Sequence, residues 1–227
     1  ARRLLQLDLC DAVVVGGVDT LCEMTLQGFG ALEALAQGYC APFAVDRDGI
    51  NIGEAAAIFL LSAQPKGVAF LGGASSSDAH HISAPHPEGD GAFAAMQGAL
   101  NDAGLSTDQL DYLNVHGTGT PHNDVMESKA IDRLFGDSLP CSSTKSMTGH
   151  TLGASGALEL AFCWLLLTVE ADWRLPPSLY LDRRDPQLPA VQLTGPDHHQ
   201  RALPVFRMST SFALGGNDVA VVGCGGQ

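Results

Sequence analysis

The chain has 227 residues, of which 45% are hydrophobic and only 16% are charged, so it can bury a real apolar core in one large domain or two small ones. Its 12 basic and 25 acidic residues give a formal net charge of −13, which argues against nucleic acid as a ligand. No signal peptide is visible, and the apolar stretch 158–169 is too short to span a bilayer. These features predict a cytoplasmic protein without a membrane span.

Apolar runs that end in paired glycines predict strands at 12–17, 68–73 and 219–226. Their β-branched residues do not alternate with polar ones, which is typical of strands buried on both faces. Helical periodicity predicts helices over 25–37, 91–103, 124–135 and 154–169, with Asp124 as a candidate N-cap. Strands and helices alternate, so we expect a layered α/β fold.

Residues that interrupt helices and strands divide the chain into two parts. Pro65 and Gly67 interrupt the pattern and indicate a boundary between a first domain, 1–64, and a second, 65–227. The polar stretch 75–91 is predicted to be a long functional loop. The six cysteines, at positions 10, 22, 40, 141, 163 and 224, form no CxxC pair, and we interpret them mostly as reduced core residues.

His116 is the first candidate for chemistry. It follows the segment YLNV (112–115) at the expected carboxyl end of a strand, where open α/β sheets bind their ligands. The Gly/Thr loop behind it allows close backbone approach to a substrate, and Thr118 and Thr120 supply hydroxyls. A hydrogen-bonded loop histidine without catalytic function is the alternative.

His150 and Lys145 form a second candidate group just before an apolar helix. The positive end of that helix disfavours imidazolium at His150, and a neutral imidazole can donate a hydrogen bond to a developing oxyanion. We expect Glu127 to pair with Lys145 and fix its charge. A helix-capping histidine and a solvated lysine are the alternatives. The other histidines, at 80, 81, 86, 198 and 199, show no recognised transition-metal spacing.

Four motifs occur in order along the chain: PFAVDRDGINIGEAAAIFLL (42–61), HGTGTPHND (116–124), STKSMTGHTLGASGALE (143–159) and SFALGGNDVAVV (211–222). Together they resemble the C-terminal signatures of the β-ketoacyl-acyl-carrier-protein synthases, condensing enzymes of the thiolase-like superfamily. The variants HND and GHTLGA are most similar to the bacterial aryl-polyene type. The resemblance implies a layered α-β-α-β-α fold, with 1–64 as the end of its first half and 65–227 as its complete second half.

The resemblance also implies a reaction, the decarboxylative condensation of an acyl thioester with malonyl-acyl carrier protein in fatty acid or polyketide-type synthesis. In the family, the residues matching His116 and His150 bind the malonyl thioester oxygen, and the residue matching Lys145 supports the second histidine. The resemblance assigns the substrate and oxyanion loops to Thr118, Thr120, Thr148, Phe212, Leu214 and Gly215. Many relatives carry Phe where this chain has Leu214, so we expect a wider acyl entrance.

Ions and partners follow from the same resemblance. No cofactor is required, but relatives hold a monovalent cation, and the matching residues here, Asn114, Glu127, Glu159 and Ser209, imply a K⁺ or Na⁺ site. The expected partners are acyl carrier protein and a second ketosynthase-like subunit, in a homodimer or a heterodimer.

The nucleophilic cysteine of the family matches no cysteine of this chain, and its position lies before Ala1. We therefore expect residues 1–227 alone to be inactive in condensation. A non-catalytic chain-length-factor-like subunit is the alternative, but such subunits often lose the histidines that are kept here. A thiolase, which acts without decarboxylation, is a third and weaker alternative because thiolases do not show this pair of histidine motifs.

Overall fold

The computed structural model describes residues 1–64, 67–168, 174–199, 205–213 and 216–224. The helices of these ranges are α1 (Arg2–Gln6), α2 (Glu23–Ala31), α3 (Asp90–Ala103), α4 (Pro121–Phe135), α5 (Lys145–Thr148) and α6 (Ser155–Thr168). The strands are β1 (Ala12–Asp19), β2 (Ala55–Ser62), β3 (Ala69–Ser77), β4 (Tyr112–Asn114), β5 (Pro140–Ser142), β6 (Gln192–Leu193), β7 (Phe206–Phe212) and β8 (Asn217–Cys224). Short 3₁₀ turns cover Thr107–Gln109, Leu152–Ala154 and Leu181–Arg183.

The described strands form two separate sheets. β1 and β2 pair antiparallel, with Ala12 opposite Ser62 and Asp19 opposite Ala55. The other six strands form a mixed sheet in the order β3-β8-β7-β4-β5-β6. In it β3, β8 and β7 pair antiparallel, whereas β7, β4, β5 and β6 run parallel. The parallel strands β4 and β5 therefore end at the same edge of the sheet, where the candidate residues lie.

Helices cover both faces of the six-stranded sheet. Tyr112 and Leu113 are consecutive in β4, so their side chains point to opposite faces. Leu113 belongs to the large apolar core with residues of α3 and α4, and Tyr112 packs with Cys163 of α6 in a second core. α6 also contacts β1 and β2. It lies between the two sheets, which explains why its sequence is apolar around most of its circumference.

Several predicted boundaries move for identifiable reasons. α2 ends at Ala31 rather than at Gln37, because Gly28 and Gly30 weaken the helix and Glu33 adopts a left-handed φ of 53°. The predicted loop 75–91 is shorter, since its first three residues belong to β3 and its last two to α3. The last residues of the strand predicted at 219–226 lie outside the described residues.

The expectation that the first strand is buried on both faces is wrong for the described structure. Val14 of β1 is 71% exposed, and Ile58 and Leu60 of β2 are 66% and 71% exposed. An apolar run predicts that a strand packs against apolar neighbours, but it does not show which segment supplies those neighbours. Within the described ranges, no helix is both long enough and apolar enough to cross a membrane.

Candidate active site

His116 is buried where the chain leaves β4 and turns toward α4. The N-cap of α4 is Thr120, whose Oγ1 accepts from Asn123 N at 3.4 Å, and Pro121 occupies the first turn. The predicted N-cap, Asp124, is wrong by four residues. Asp124 lies inside the first turn, and its carboxylate accepts from the backbone N–H of Phe43 at 2.7 Å and of Gly119 at 3.2 Å.

Glu127 fixes the backbone of the His116 loop. Its two carboxylate oxygens accept from His116 N at 2.7 Å and from Gly117 N at 2.6 Å. Thr210 and Asn123 donate two further hydrogen bonds, at 3.1 and 3.2 Å. Burial raises the pKa of the Glu127 carboxyl to about 7, and these backbone hydrogen bonds oppose the rise. Glu127 is therefore a structural anchor for His116.

The expected pairing of Lys145 with Glu127 is wrong in its contacts. The ammonium group of Lys145 forms its salt bridge with Glu159 of α6, and both side chains are buried. It also donates to the backbone oxygen of His116 at 2.6 Å. Glu127 is already occupied by backbone N–H groups, whereas Glu159 lies deep in an apolar helix and needs a cation to offset its burial. Burial raises the pKa of Glu159, and the charge of Lys145 opposes that rise.

His150 is held by the loop that precedes β2. Its backbone N–H donates to Asn51 O at 2.7 Å, and its backbone oxygen accepts from Gly53 N at 3.0 Å. Its ring Nδ1 accepts from Leu152 N at 3.2 Å, so the proton of the neutral imidazole is on Nε2. The signal that could have identified this support is the segment RDGINIG, which the sequence interpretation used only as a family motif.

The same tautomer follows for His116. Its Nδ1 lies 3.5 Å from the Lys145 ammonium nitrogen, which can only donate hydrogen bonds. The two imidazole rings lie edge to face, with centroids 5.2 Å apart. Burial and then the charge of Lys145 lower the pKa of His150 to about 3 and that of His116 well below its usual value. Both rings are thus neutral at physiological pH, each with one Nε2–H to donate.

The remaining predicted substrate residues are three threonines, Phe212, and the pair Leu214 and Gly215. Thr118 is buried and hydrogen-bonds to Thr120 through their hydroxyls at 2.9 Å, whereas the Thr148 hydroxyl lies 2.8 Å from the Gly149 backbone oxygen. Phe212 lies beside His116, with ring centroids 5.5 Å apart. The predicted residues Leu214 and Gly215 lie outside the described residues.

The four predicted cation ligands are all buried. Asn114 and Ser209 are opposite each other in the parallel strands β4 and β7, and both are buried. Among the described residues, Asn114 Oδ1 and Glu159 Oε2 are buried oxygens without a hydrogen-bond partner. Glu127 differs from them because its oxygens are used by the His116 loop.

Cys10, Cys22, Cys40, Cys141 and Cys163 are free thiols, and of these Cys22 is exposed. Cys40, Cys141 and Cys163 are buried, and burial raises the pKa of each thiol, to about 12 for Cys40 and Cys163. A nucleophilic cysteine needs an accessible thiolate. These three residues are therefore core residues, as expected, and are unsuited to carry an acyl group.

Comparison with known protein families identifies the family of this chain. Residues 68–181 match the beta-ketoacyl synthase C-terminal domain, and residues 1–66 match the N-terminal domain of the same family. The chain belongs to the β-ketoacyl synthase family. The resemblance found in its motifs is thereby confirmed.

Curated relatives include the 3-oxoacyl-[acyl-carrier-protein] synthase 2 of Staphylococcus aureus, 37% identical over 98% of this chain. The enzyme of the same name from Synechocystis is 36% identical over 97% of the chain. The chain covers 58% of the first relative and 56% of the second. It thus spans a little over half the length of the ketosynthases that it matches.

Solved structures share the fold. One chain of the complex between the ketosynthase ApeO and its chain length factor ApeC from Xenorhabdus doucetiae is 49% identical with a TM-score of 0.92, over 98% of this chain and 55% of that one. A beta-ketoacyl synthase from Burkholderia phymatum is 30% identical with a TM-score of 0.89, over 99% of this chain and 57% of that one. The expected thiolase-like layered α/β fold is confirmed.

Proposed function

We propose that this chain carries the malonyl-activating residues of a β-ketoacyl-acyl-carrier-protein synthase, which condenses an acyl thioester with malonyl-acyl carrier protein. The observation that carries the proposal is the pair of buried, neutral imidazoles of His116 and His150, 5.2 Å apart between ring centroids. Two N–H donors on rings this close together suit an oxygen on which negative charge develops.

The proposed reaction has two steps at this pair. The bond between the malonyl carboxylate and the α-carbon breaks, CO₂ leaves, and its bonding electrons form an enolate whose oxygen accepts from Nε2–H of both histidines. The α-carbon then attacks the carbonyl carbon of the acyl thioester, a C–C bond forms, and the thiolate leaves. Burial strengthens both hydrogen bonds to the enolate.

Lys145 has two roles in this proposal. Its charge disfavours protonation of both imidazoles, which keeps them available as neutral donors. Its salt bridge with Glu159 and its hydrogen bond to the His116 backbone oxygen keep the ammonium group in place. We assign no step to Cys40, Cys141 or Cys163, because their thiols are buried.

Ion and partner binding are further proposals. The unpaired buried oxygens of Asn114 and Glu159 support a K⁺ or Na⁺ site that Ser209 and Glu127 would complete, where the ion would offset negative charge. Acyl carrier protein is the proposed donor of the malonyl group. The structure of a relative with its chain length factor supports a heterodimer with a similar subunit, as an alternative to a homodimer.

The test is malonyl decarboxylation by the protein that the whole gene encodes. With malonyl-acyl carrier protein as substrate, we expect His116→Ala and His150→Ala each to lower the rate of CO₂ release about 100- to 1000-fold. His122→Ala, on the exposed side of α4, is the matched control and should keep the rate. A rate near wild type for either site variant would overturn the proposal, and a wild-type protein without decarboxylation would favour the chain-length-factor-like alternative.

A further inference from the structure

The two histidines are supported in different ways. The Lys145 ammonium group donates to the backbone oxygen of His116 and lies 3.5 Å from Nδ1 of the same histidine. His150 has no hydrogen bond to Lys145 among the described residues. Its backbone is held by Asn51 and Gly53, and its ring by the N–H of Leu152. The relative placement of the two donors therefore depends on what holds residues 51–53.

The side chain of Asn51 holds residues 51–53 against a neighbouring loop. Its Oδ1 accepts from Cys40 N at 2.6 Å, and its Nδ2 donates to Gly38 O at 2.8 Å. The carboxamide thus uses both of its ends on the loop of residues 38–40, while the backbone oxygen of the same residue binds His150. Asn51 joins that loop to His150.

The loop of residues 38–40 continues to the other histidine. The buried thiol of Cys40 donates to Thr118 O at 3.1 Å. Gly119, with a left-handed φ of 74°, packs so closely there that a Cβ atom would lie 2.9 Å from Cys40 Sγ. His150, Asn51, Cys40 and Thr118 therefore form one chain of contacts that ends two residues after His116.

We propose that Asn51 is a positioning residue that sets the separation of the His116 and His150 loops, an inference that rests on the proposed function. Two Nε2–H donors stabilise one enolate oxygen only if both point at it, and a displacement of about 1 Å can cost on the order of 100-fold in rate. Neither end of the Asn51 carboxamide touches substrate-binding residues directly. Its effect is carried through Cys40.

The experiment compares Asn51→Leu with Asn101→Leu in the whole protein. Leucine has a similar volume but cannot bind Cys40 N or Gly38 O. Asn101 is an exposed residue of α3 whose side-chain oxygen accepts from Gln97 at 3.1 Å. We expect Asn51→Leu to lower kcat for malonyl decarboxylation about 10- to 100-fold with little change in KM. Asn101→Leu should change neither constant.

A double-mutant cycle tests the route through Cys40. If Asn51 acts through this thiol, the losses of Asn51→Leu and Cys40→Ala in log kcat are non-additive, whereas Asn51→Leu and Asn101→Leu are additive. An Asn51→Leu enzyme with wild-type kcat, or additive losses in the Cys40 cycle, would overturn the proposal.

Amide hydrogen exchange separates this proposal from the proposed function. In Asn51→Leu we expect faster exchange at Cys40, His150 and residues 118–120, with α3 unchanged. If wild type does not decarboxylate malonyl thioesters, the proposed function fails and the exchange pattern still decides the role of Asn51. Unchanged exchange at His150 and 118–120, or an increase spread over the whole chain, would contradict it.

Discussion

Residues 1–62, the first region, and residues 69–224, the second region, differ in what they bury. The first region exposes apolar side chains such as Val14 and Leu60, which are both 71% exposed. The second region differs because it buries charged groups, which include Lys145, Glu127 and Glu159. Burying charge is costly, so each of these groups has a specific partner.

The comparison shows that a region without catalytic side chains can still support the proposed site. The sheet of the first region contributes no catalytic side chain to the proposed site, yet its neighbouring loops hold His150. Asn51 and Gly53 bind the His150 backbone, and Asp19 accepts from Gly153 N at 2.8 Å. The first region thus supports the site of the second through the backbone of Asn51 and Gly53 and through the side chain of Asp19.

The largest effect is expected at the buried anchor of the second region. Glu127→Leu leaves the N–H group of Gly117 buried without an acceptor and leaves that of His116 with Thr210 Oγ1 at 3.0 Å, which should lower the free energy of unfolding by about 2–4 kcal/mol. Glu127→Gln retains one oxygen acceptor and should lose less. Urea unfolding of both variants measures this. Equal stability of Glu127→Leu and wild type would mean that these N–H groups find other acceptors.

A smaller effect is expected where the two regions meet. A Cβ atom on Gly53 would lie 2.1 Å from Thr148 O, so Gly53→Ala must push the His150 loop away, at about 1–3 kcal/mol. Gly28 of α2 has no atom within 4 Å of such a Cβ, and Gly28→Ala should instead stabilise by about 0.5–1 kcal/mol. Thermal unfolding of the two variants should shift in opposite directions, and a shared direction would remove the close contact as the cause.

The pH dependence of stability sharpens the comparison further. The pKa of His150 is about 3 in the folded protein and near 6.5 in the unfolded chain. The folded state is therefore most stable above about pH 6.5, where His150 is neutral in both states. Stability should therefore fall as the pH drops from about 6.5 toward 3. In His150→Asn this loss should be smaller over the same window. Urea unfolding at a series of pH values would show it, and identical slopes for the two proteins would rule out His150 as a contributor.

The smallest effect is expected on the exposed sheet. Val14→Thr should change the free energy of unfolding by less than about 0.5 kcal/mol, since the side chain already contacts water. The same change at Val115, which is fully buried after β4, should cost about 1–3 kcal/mol because the hydroxyl is desolvated. A large loss at Val14, measured by chemical unfolding, would show that this face is covered in solution.

Much of the fold and part of the site could be predicted from the sequence. The periodicity predicted the α/β alternation, and the position of His116 after the segment YLNV placed it at a strand end. The partner of Lys145 could not be predicted, because Glu127 and Glu159 are both acidic residues on nearby helices and only the packing of α6 decides between them. Asn51 was missed because its contact with His150 uses a backbone oxygen, which every residue has.

The range of the hydrogen bonds has a consequence for how the site is assembled during folding. Glu127 binds His116 and Lys145 binds Glu159 within short loops of the second region, and short loops are quick to close. The contact between positions 51 and 150 closes a much longer loop. We expect the His116 side of the site to become ordered first during refolding and His150 to be fixed last, so that a late-folding species would contain the lysine in place but only one of the two oxyanion donors.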